Sequence, residues 1–273
     1  MLSNRLGILG VLALLPAVVQ VGSGLGSRPT TTRIFPRRHG PMQLHERRSD
    51  GTTTSTNWSG YAVTGSSFTE VQGSWVVPSV TCSVTPNTYS SFWVGLDGYS
   101  SNTVEQTGTD SDCEGTTPVY YAWYEFYPQN MFEISSLSIK AGDKMSASVV
   151  YSGSEFTVTI TDTTTGKSYT KSSSVHKAQR TSAEWIVEAP CCTRRGGILP
   201  LADFGTASLG FTYTSVTSTN DATENGATES IGAFGSKVWE LITMVNGTTG
   251  ANEAVPSPLS ADGSSFQVVW KSE

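Results

Sequence analysis

From residue 55 onward one pattern dominates the chain: short runs rich in Val, Thr, Tyr and Trp, each ended by Gly, Pro or a polar turn. Examples are "NWSGYAV" at 57–63, "VQGSWVVP" at 71–78 and "VYYAWYEFYP" at 119–128. Such runs fit a pleated, half-buried surface, and no segment of useful length has helical periodicity. About ten closely spaced strands without a linker therefore predict one all-β domain, a sandwich of two antiparallel sheets.

The N-terminus has a different composition from the rest. One Arg followed by an apolar run, broken by Pro16 and succeeded by small residues, indicates a signal peptide over 1–24. No later run is long and apolar enough to cross a bilayer, so we expect a secreted protein without a membrane anchor.

Charge divides the chain in a similar way. Residues 1–50 carry seven Arg against Glu46 and Asp50, whereas the remainder has ten Lys and Arg against twenty-one Asp and Glu. The basic segment 25–51 has no strand pattern and is interpreted as a pro-segment that inhibits the domain at 52–273; the alternative is a solvated spacer. "RRSD" at 47–50 is a candidate cleavage boundary. The acidic body argues against a nucleic-acid partner, which requires a basic patch.

Four cysteines in an oxidising compartment predict disulfides, and three pairings are possible. We favour Cys82–Cys113, because each lies in a polar loop beside the same pair of strands. Cys191 and Cys192 are then left as a vicinal pair or as free thiols.

The residues available for catalysis are restricted. After the basic segment the one histidine is His176, in a polar turn, and neither a G-x-S-x-G nor an H-E-x-x-H motif occurs. Asp-Thr-Gly and Asp-Ser-Gly, the triplets of aspartic proteases, are also missing. Acid–base chemistry must therefore use carboxylates, amides or tyrosines.

Three strands bring such groups together with aromatic residues. Because side chains alternate along a strand, one face of 119–128 presents Tyr121, Trp123, Glu125 and Tyr127. In "NTVEQTG" Gln106 faces away from Glu105, and in "TSAEWIVEAP" at 181–190 Glu184, Ile186 and Glu188 share the face opposite Trp185. Each pattern alone is compatible with an ordinary surface or core strand.

Five motifs in one order resemble the glutamic peptidases, or eqolisins, which are pepstatin-insensitive acid proteases. They are "FWVGLDG", "VEQTGTD", "YAWYEFYP", "AEWIVE" and "LADFG". The resemblance implies a concanavalin A-like β-sandwich with a catalytic Gln and Glu on its concave face. Matched motif by motif, the pair is Gln106 and Glu184. One departure is Tyr121, where fungal members often carry Asp.

The resemblance also implies supporting and substrate-binding residues, namely Trp93, Asp97, Trp123, Glu125 and Tyr127. In the expected reaction Glu184 takes a proton from the attacking water, and the Gln106 amide stabilises the oxyanion. Polypeptides are the expected substrates, no metal or organic cofactor is needed, and a monomer is expected.

Two other functions are compatible with the residues. A glycoside hydrolase would use Glu125 and Glu184 as its two carboxylates, with the aromatic residues stacked on sugar rings. A lectin-like module would bind ligand through the same aromatic residues without turnover.

Overall fold

The computed structural model describes residues 37–47, 52–191, 197–235 and 239–273, and these are almost entirely β-structure. The predicted signal peptide, the boundary at 48–50 and Cys192 lie outside the described residues, so the domain limits stay predictions. The strands are β1 (Leu44–Arg47), β2 (Thr52–Ser55), β3 (Trp58–Thr64), β4 (Phe68–Val76), β5 (Ser91–Leu96), β6 (Val104–Glu114), β7 (Thr117–Tyr127), β8 (Phe132–Glu133), β9 (Lys144–Ser152), β10 (Glu155–Asp162), β11 (Lys167–Ser173), β12 (Ser182–Glu188), β13 (Thr206–Leu209), β14 (Asp221–Glu224), β15 (Ala227–Ser230), β16 (Trp239–Val245), β17 (Asn252–Pro256) and β18 (Phe266–Trp270).

Two antiparallel sheets form the predicted sandwich. The front sheet has the order β7–β6–β5–β12–β3–β16. The back sheet contains β11–β10–β9–β4, continued by β13, β18 and β17. Strand β17 also pairs with β16, so hydrogen bonding runs from one sheet into the other. The predicted fold class is therefore confirmed.

The main hydrophobic core lies between the sheets and includes Trp75, Phe92, Phe156 and Trp185. Back-sheet strands β9 and β10 alternate between buried and partly exposed residues, as expected when one face meets solvent. Front-sheet strands β5 and β12 are buried along their whole length. The face of the front sheet that points away from the core, called the cleft face here, must therefore also be covered.

The cover is the N-terminal segment, residues 37–47. The expectation that this stretch has no strand is wrong, because Leu44–Arg47 forms β1 and pairs with β2. Its first part crosses the cleft face: Met42 N donates to the Gly98 carbonyl at 3.0 Å, and Gln43 N donates to Asn57 Oδ1 at 2.7 Å. Met42 packs on a second apolar cluster that contains Trp58, Trp93 and Trp123.

Two stretches of the C-terminal part differ from the sequence-based expectation. The sequence "STNDATENGATES" at 218–230 predicts a polar loop, but residues 221–230 form the hairpin of β14 and β15. The sequence "ASLGFTYTSV" at 207–216 predicts a strand, but the strand ends at Leu209 and a one-turn helix, α1 (Phe211–Thr214), follows. A 3₁₀ turn occupies Ile231–Phe234.

The favoured Cys82–Cys113 disulfide is present, with a Cα–Cα distance of 5.3 Å. Cys191 is also disulfide-bonded, which excludes a free thiol there. Within the described ranges, no helix has the length and apolar character that a membrane span requires.

Candidate active site

The register of four front-sheet strands fixes which side chains meet on the cleft face. Reading across β12, β5, β6 and β7, one row is formed by Glu184, Gly95, Gln106 and Glu125. The next but one row is formed by Glu188, Ser91, Asp110 and Tyr121. Gln106 and Glu184 thus point to the same side. Two inter-strand spacings separate their backbones by about 10 Å.

Gln106 is fully buried and contacts the N-terminal segment directly. Its Nε2 donates a hydrogen bond to the backbone carbonyl of His39. Its Oε1 has no hydrogen-bond partner among the described residues. The side chain therefore holds a peptide carbonyl with its amide N–H.

Glu188 lies against the imidazole of the same residue. Its Oε2 is 3.3 Å from His39 Nδ1 and accepts a 2.9 Å hydrogen bond from Trp93 Nε1. Burial raises the pKa of Glu188, although the contacts with His39 and Trp93 oppose the increase. Glu188 is thus a second candidate for the catalytic carboxylate, whereas the motif comparison indicates Glu184.

Glu125 approaches His39 from the other side. It lies opposite Gln106 in the β6–β7 register, and its Oε2 accepts a 2.7 Å hydrogen bond from His39 N. Burial raises the pKa of Glu125 to about 8, with His39 opposing the increase. Trp123 completes the enclosure, because its ring stacks on the imidazole at a centroid distance of 3.8 Å.

Glu184 has different neighbours. Burial raises its pKa, and the nearby carboxylates of Asp97 and Glu105 raise it further, while Ser182 opposes the increase. Burial also raises the pKa of Glu105 to about 9. Glu184 therefore interacts electrostatically with Asp97 and Glu105, whereas His39 brings together Gln106, Glu125 and Glu188.

Asp97 organises the chain that enters β12. It lies in the left-handed region with φ of 69°, and its carboxylate accepts hydrogen bonds from the backbone of Gln179, Arg180 and Thr181 at 2.7, 2.8 and 3.0 Å. Tyr127 is half-buried and packs on the cluster of Trp93 and Trp123.

His39 is a site residue that the sequence does not predict, because its contacts with Gln106 and Glu188 join distant parts of the chain and leave no local pattern. Burial alone would lower the pKa of His39, but the carboxylates of Asp110, Glu188 and Glu125 together raise it to about 9. His176, the histidine considered from sequence, is exposed. The signal available in the sequence was charge: a histidine in a basic segment joined to an acidic body.

Within the described part of the chain, no group of three or more His, Cys, Asp or Glu residues is arranged to hold a metal ion.

A buried amide on the carbonyl of His39 and two buried carboxylates on its backbone N–H and its imidazole are groups that acid–base hydrolysis can use. The model of the Peptidase A4 family matches residues 56–256. The chain therefore belongs to this family, the glutamic peptidases, and this confirms the resemblance of the five motifs.

Two fungal relatives and a solved structure are consistent with this family assignment. Aspergillopepsin-2 of Aspergillus niger is 33% identical over 206 residues, which are 66% of this chain and 69% of the relative. Scytalidopepsin B of Scytalidium lignicola is 35% identical over 179 residues, 62% of this chain and 66% of the relative. A crystal structure of scytalido-glutamic peptidase with a transition state analog inhibitor superposes with a TM-score of 0.65 at 24% identity, covering 79% of this chain and 98% of that chain, which establishes a common fold.

Proposed function

We propose that the protein is a secreted, pepstatin-insensitive acid endopeptidase in which Gln106 and a glutamate carboxylate hydrolyse peptide bonds. The observation that carries this proposal is the hydrogen bond from Gln106 Nε2 to the His39 carbonyl, next to the carboxylate of Glu188. A substrate carbonyl in the place of the His39 carbonyl would meet the same amide, and a water could take the place of the imidazole beside Glu188.

The chemistry follows from these groups. A glutamate carboxylate removes a proton from water as the water attacks the scissile carbonyl, and then returns the proton to the leaving nitrogen. The Gln106 N–H supports the negative charge that develops on the carbonyl oxygen. An unperturbed Glu has a pKa of about 4.3, and an amide does not titrate, so this pair suits work in acid.

Two carboxylates compete for the role of base. The motif comparison assigns it to Glu184, and this assignment stays a prediction. The contacts favour Glu188, because Glu188 and Gln106 touch the same residue, His39, whereas the charges that act on the pKa of Glu184 are those of Asp97 and Glu105. We therefore propose Glu188 as the base, with Glu184 as the alternative.

Aromatic side chains around the pair suit an extended peptide. Trp123 stacks on the docked imidazole, and Tyr127 packs beside it. We propose that both contact substrate side chains, that Trp93 orients Glu188 through its indole N–H, and that Asp97 acts by shaping the loop before β12. Glu125 would bind the substrate backbone N–H, as it binds that of His39.

The function is tested by acid proteolysis. Acid-processed protein is incubated at about pH 3–4 with a denatured protein substrate and pepstatin. Internal peptides should accumulate, and mass spectrometry should identify them. Release of oligosaccharides from a glycan, with no peptides from the protein, would instead support a glycoside hydrolase. Turnover of neither substrate would indicate a binding module.

We further propose that the N-terminal segment inhibits the enzyme until it is removed. The segment fills the cleft face as a substrate would, and the imidazole of His39 occupies the space beside Glu188 that an attacking water needs. Its positive groups, Arg37 and His39, face the carboxylates of Asp112 and Glu188. Inhibition thus combines steric exclusion with charge attraction.

Docking of this segment should be tightest in weakly acidic solution. The pKa of His39 rises from about 6.5 in a free peptide to about 9 when docked. The positive charge of His39 therefore contributes fully to binding below about pH 6.5, and this contribution is lost as the pH rises through about 9. In acid, protonation of the body's surplus carboxylates removes the attraction for the basic segment. Binding of a labelled 37–47 peptide to processed enzyme should therefore peak between about pH 5 and 6.5 and weaken as the pH rises toward about 9.

A His39→Gln peptide is the matched control, since its binding should not change between neutral pH and about pH 9. Full-length protein kept at about pH 3–4 should lose its N-terminal segment and gain activity. Retention of the segment together with continued inactivity in acid would contradict self-activation.

A further inference from the structure

A buried anionic pocket lies beside the site and is filled by an arginine of the N-terminal segment. Arg37 Nη1 donates to the Asp112 carboxylate and to the Tyr121 hydroxyl, the latter at 2.7 Å. The guanidinium carbon lies 4.1 Å from the ring centre of Tyr89. The Asp112 side chain is 1% exposed, and that of Arg37 is 14% exposed.

The pocket is built for a cation. The Tyr121 hydroxyl is 2.6 Å from Asp110 Oδ2 and 3.0 Å from Asp112 Oδ2, so one phenol joins two buried carboxylates. Burial and the neighbouring Asp110 raise the pKa of Asp112, and Arg37 acts in the opposite direction. Two adjacent buried carboxylates are costly unless a positive partner satisfies them. A guanidinium suits the pocket better than an ammonium, because it donates hydrogen bonds to two acceptors at once and stacks on an aromatic ring.

The position of the pocket relative to the reacting carbonyl follows from the backbone. Arg38 pairs with Cys191 in both directions, N to O at 2.7 Å and O to N at 3.0 Å, as in an antiparallel strand. Side chains on an extended chain alternate, so Arg37 and His39 point into the cleft face while Arg38 reaches Asn130 in a more exposed contact. Arg37 thus lies two residues before the residue whose carbonyl Gln106 binds.

We propose that Asp112, Tyr121 and Tyr89 form a subsite of the processed enzyme for an arginine side chain of the substrate, two residues before the scissile carbonyl. The inference rests on the proposed function, because it takes the His39 carbonyl as a mimic of the scissile one. The N-terminal segment occupies this subsite first and is replaced by substrate after processing. Tyr121, the position at which the chain departs from the family pattern, forms a wall of the subsite.

The test compares two fluorogenic peptides that differ only at this position, one with arginine and one with citrulline, its neutral isostere. At about pH 5 the processed enzyme should cleave the arginine peptide with a kcat/KM about tenfold higher. In Asp112→Asn the ratio of the two kcat/KM values should fall toward one. Tyr89→Leu removes the stacking ring and leaves the carboxylates, and it should reduce the ratio severalfold. This variant tests the subsite if Asp112→Asn fails to fold.

Glu155→Gln is the control, since Glu155 is an exposed carboxylate on β10 of the back sheet, and it should keep the wild-type ratio. Equal cleavage of both peptides by the wild type would overturn the proposal, and so would an arginine preference that survives both pocket variants. Neither result would affect the proposed function, which fails only if the processed enzyme cleaves no peptide at all.

Discussion

Replacing Glu188 by Gln is expected to lower kcat about 10²–10⁴-fold, the usual contribution of a general base. The substitution keeps the size of the side chain and an oxygen that accepts the Trp93 indole N–H, but an amide cannot take a proton from water. KM should change little, because Glu188 acts on the water rather than on the substrate. The measurement is kcat on a fluorogenic peptide with processed enzyme, with thermal unfolding as a check of the fold.

Glu184→Gln is the matched variant, because Glu184 lies on the same strand and the same face, four residues away. Its kcat should fall less than about tenfold, since its neighbours are Asp97 and Glu105 rather than the residue that Gln106 binds. The reverse order, with Glu184→Gln inactive and Glu188→Gln active, would return the role of base to Glu184. Glu125→Gln tests whether the protein is a glycosidase instead. A glycosidase would lose activity on a glycan in both Glu125→Gln and Glu184→Gln, and it would keep that activity in Gln106→Ala.

Replacing Gln106 by Ala should lower kcat about 10²–10³-fold, as measured for the loss of a single oxyanion donor. The reason is geometric: its Nε2 is the side-chain donor that holds the His39 carbonyl. Because the amide does not titrate, the pH dependence of the residual activity should keep the wild-type shape, whereas Glu188→Gln should alter it. The measurement is a pH profile of kcat/KM for each variant.

Gln72→Ala provides the control for a glutamine truncation within the sandwich. Gln72 lies on β4 of the back sheet, and its side chain bonds only to Glu70 among the hydrogen bonds of the described residues. Its activity should stay within about twofold of the wild type. If Gln106→Ala were as active as Gln72→Ala, the oxyanion role of Gln106 would be excluded.

The fold and the composition of the cleft face were accessible from the sequence, because alternation along β6, β7 and β12 decides which side chains share a face. The choice between Glu184 and Glu188 was not. Their backbones are about 13 Å apart along one face, and the difference lies in neighbours that come from distant parts of the chain. His39 and Trp93 mark Glu188, and neither contact leaves a local pattern.

The β14–β15 hairpin lies where the sequence pattern predicts a polar loop, and the reason for this difference is local. Its turn is Asn225–Gly226, with φ of 50° and 83°, which is a strong local hairpin signal. The flanking residues are polar, and the strands they form are mostly exposed or only partly buried, so the hydrophobic pattern of this stretch resembles that of a loop. Exposed edge strands are often polar, and here the turn residues rather than the polarity indicate the structure.

The N-terminal segment could not be placed from its own sequence. Its extended backbone is held by the domain: Arg38 pairs with Cys191, and Asn57 binds the backbone of Gln43. Tertiary contacts, rather than local propensity, therefore determine its conformation. The charge contrast between the segment and the acidic body was the part of this interaction that the sequence did indicate.

The most direct test of the central claim, that Gln106 and Glu188 act together on one water and one carbonyl, is a double-mutant cycle. The kcat/KM of Gln106→Ala, of Glu188→Gln and of the double variant is measured on one peptide with processed enzyme. Residues that act as a unit are strongly non-additive, so the double variant should be little slower than the slower single variant. Losses that multiply in full, or a Glu188→Gln variant as active as the wild type, would contradict the claim.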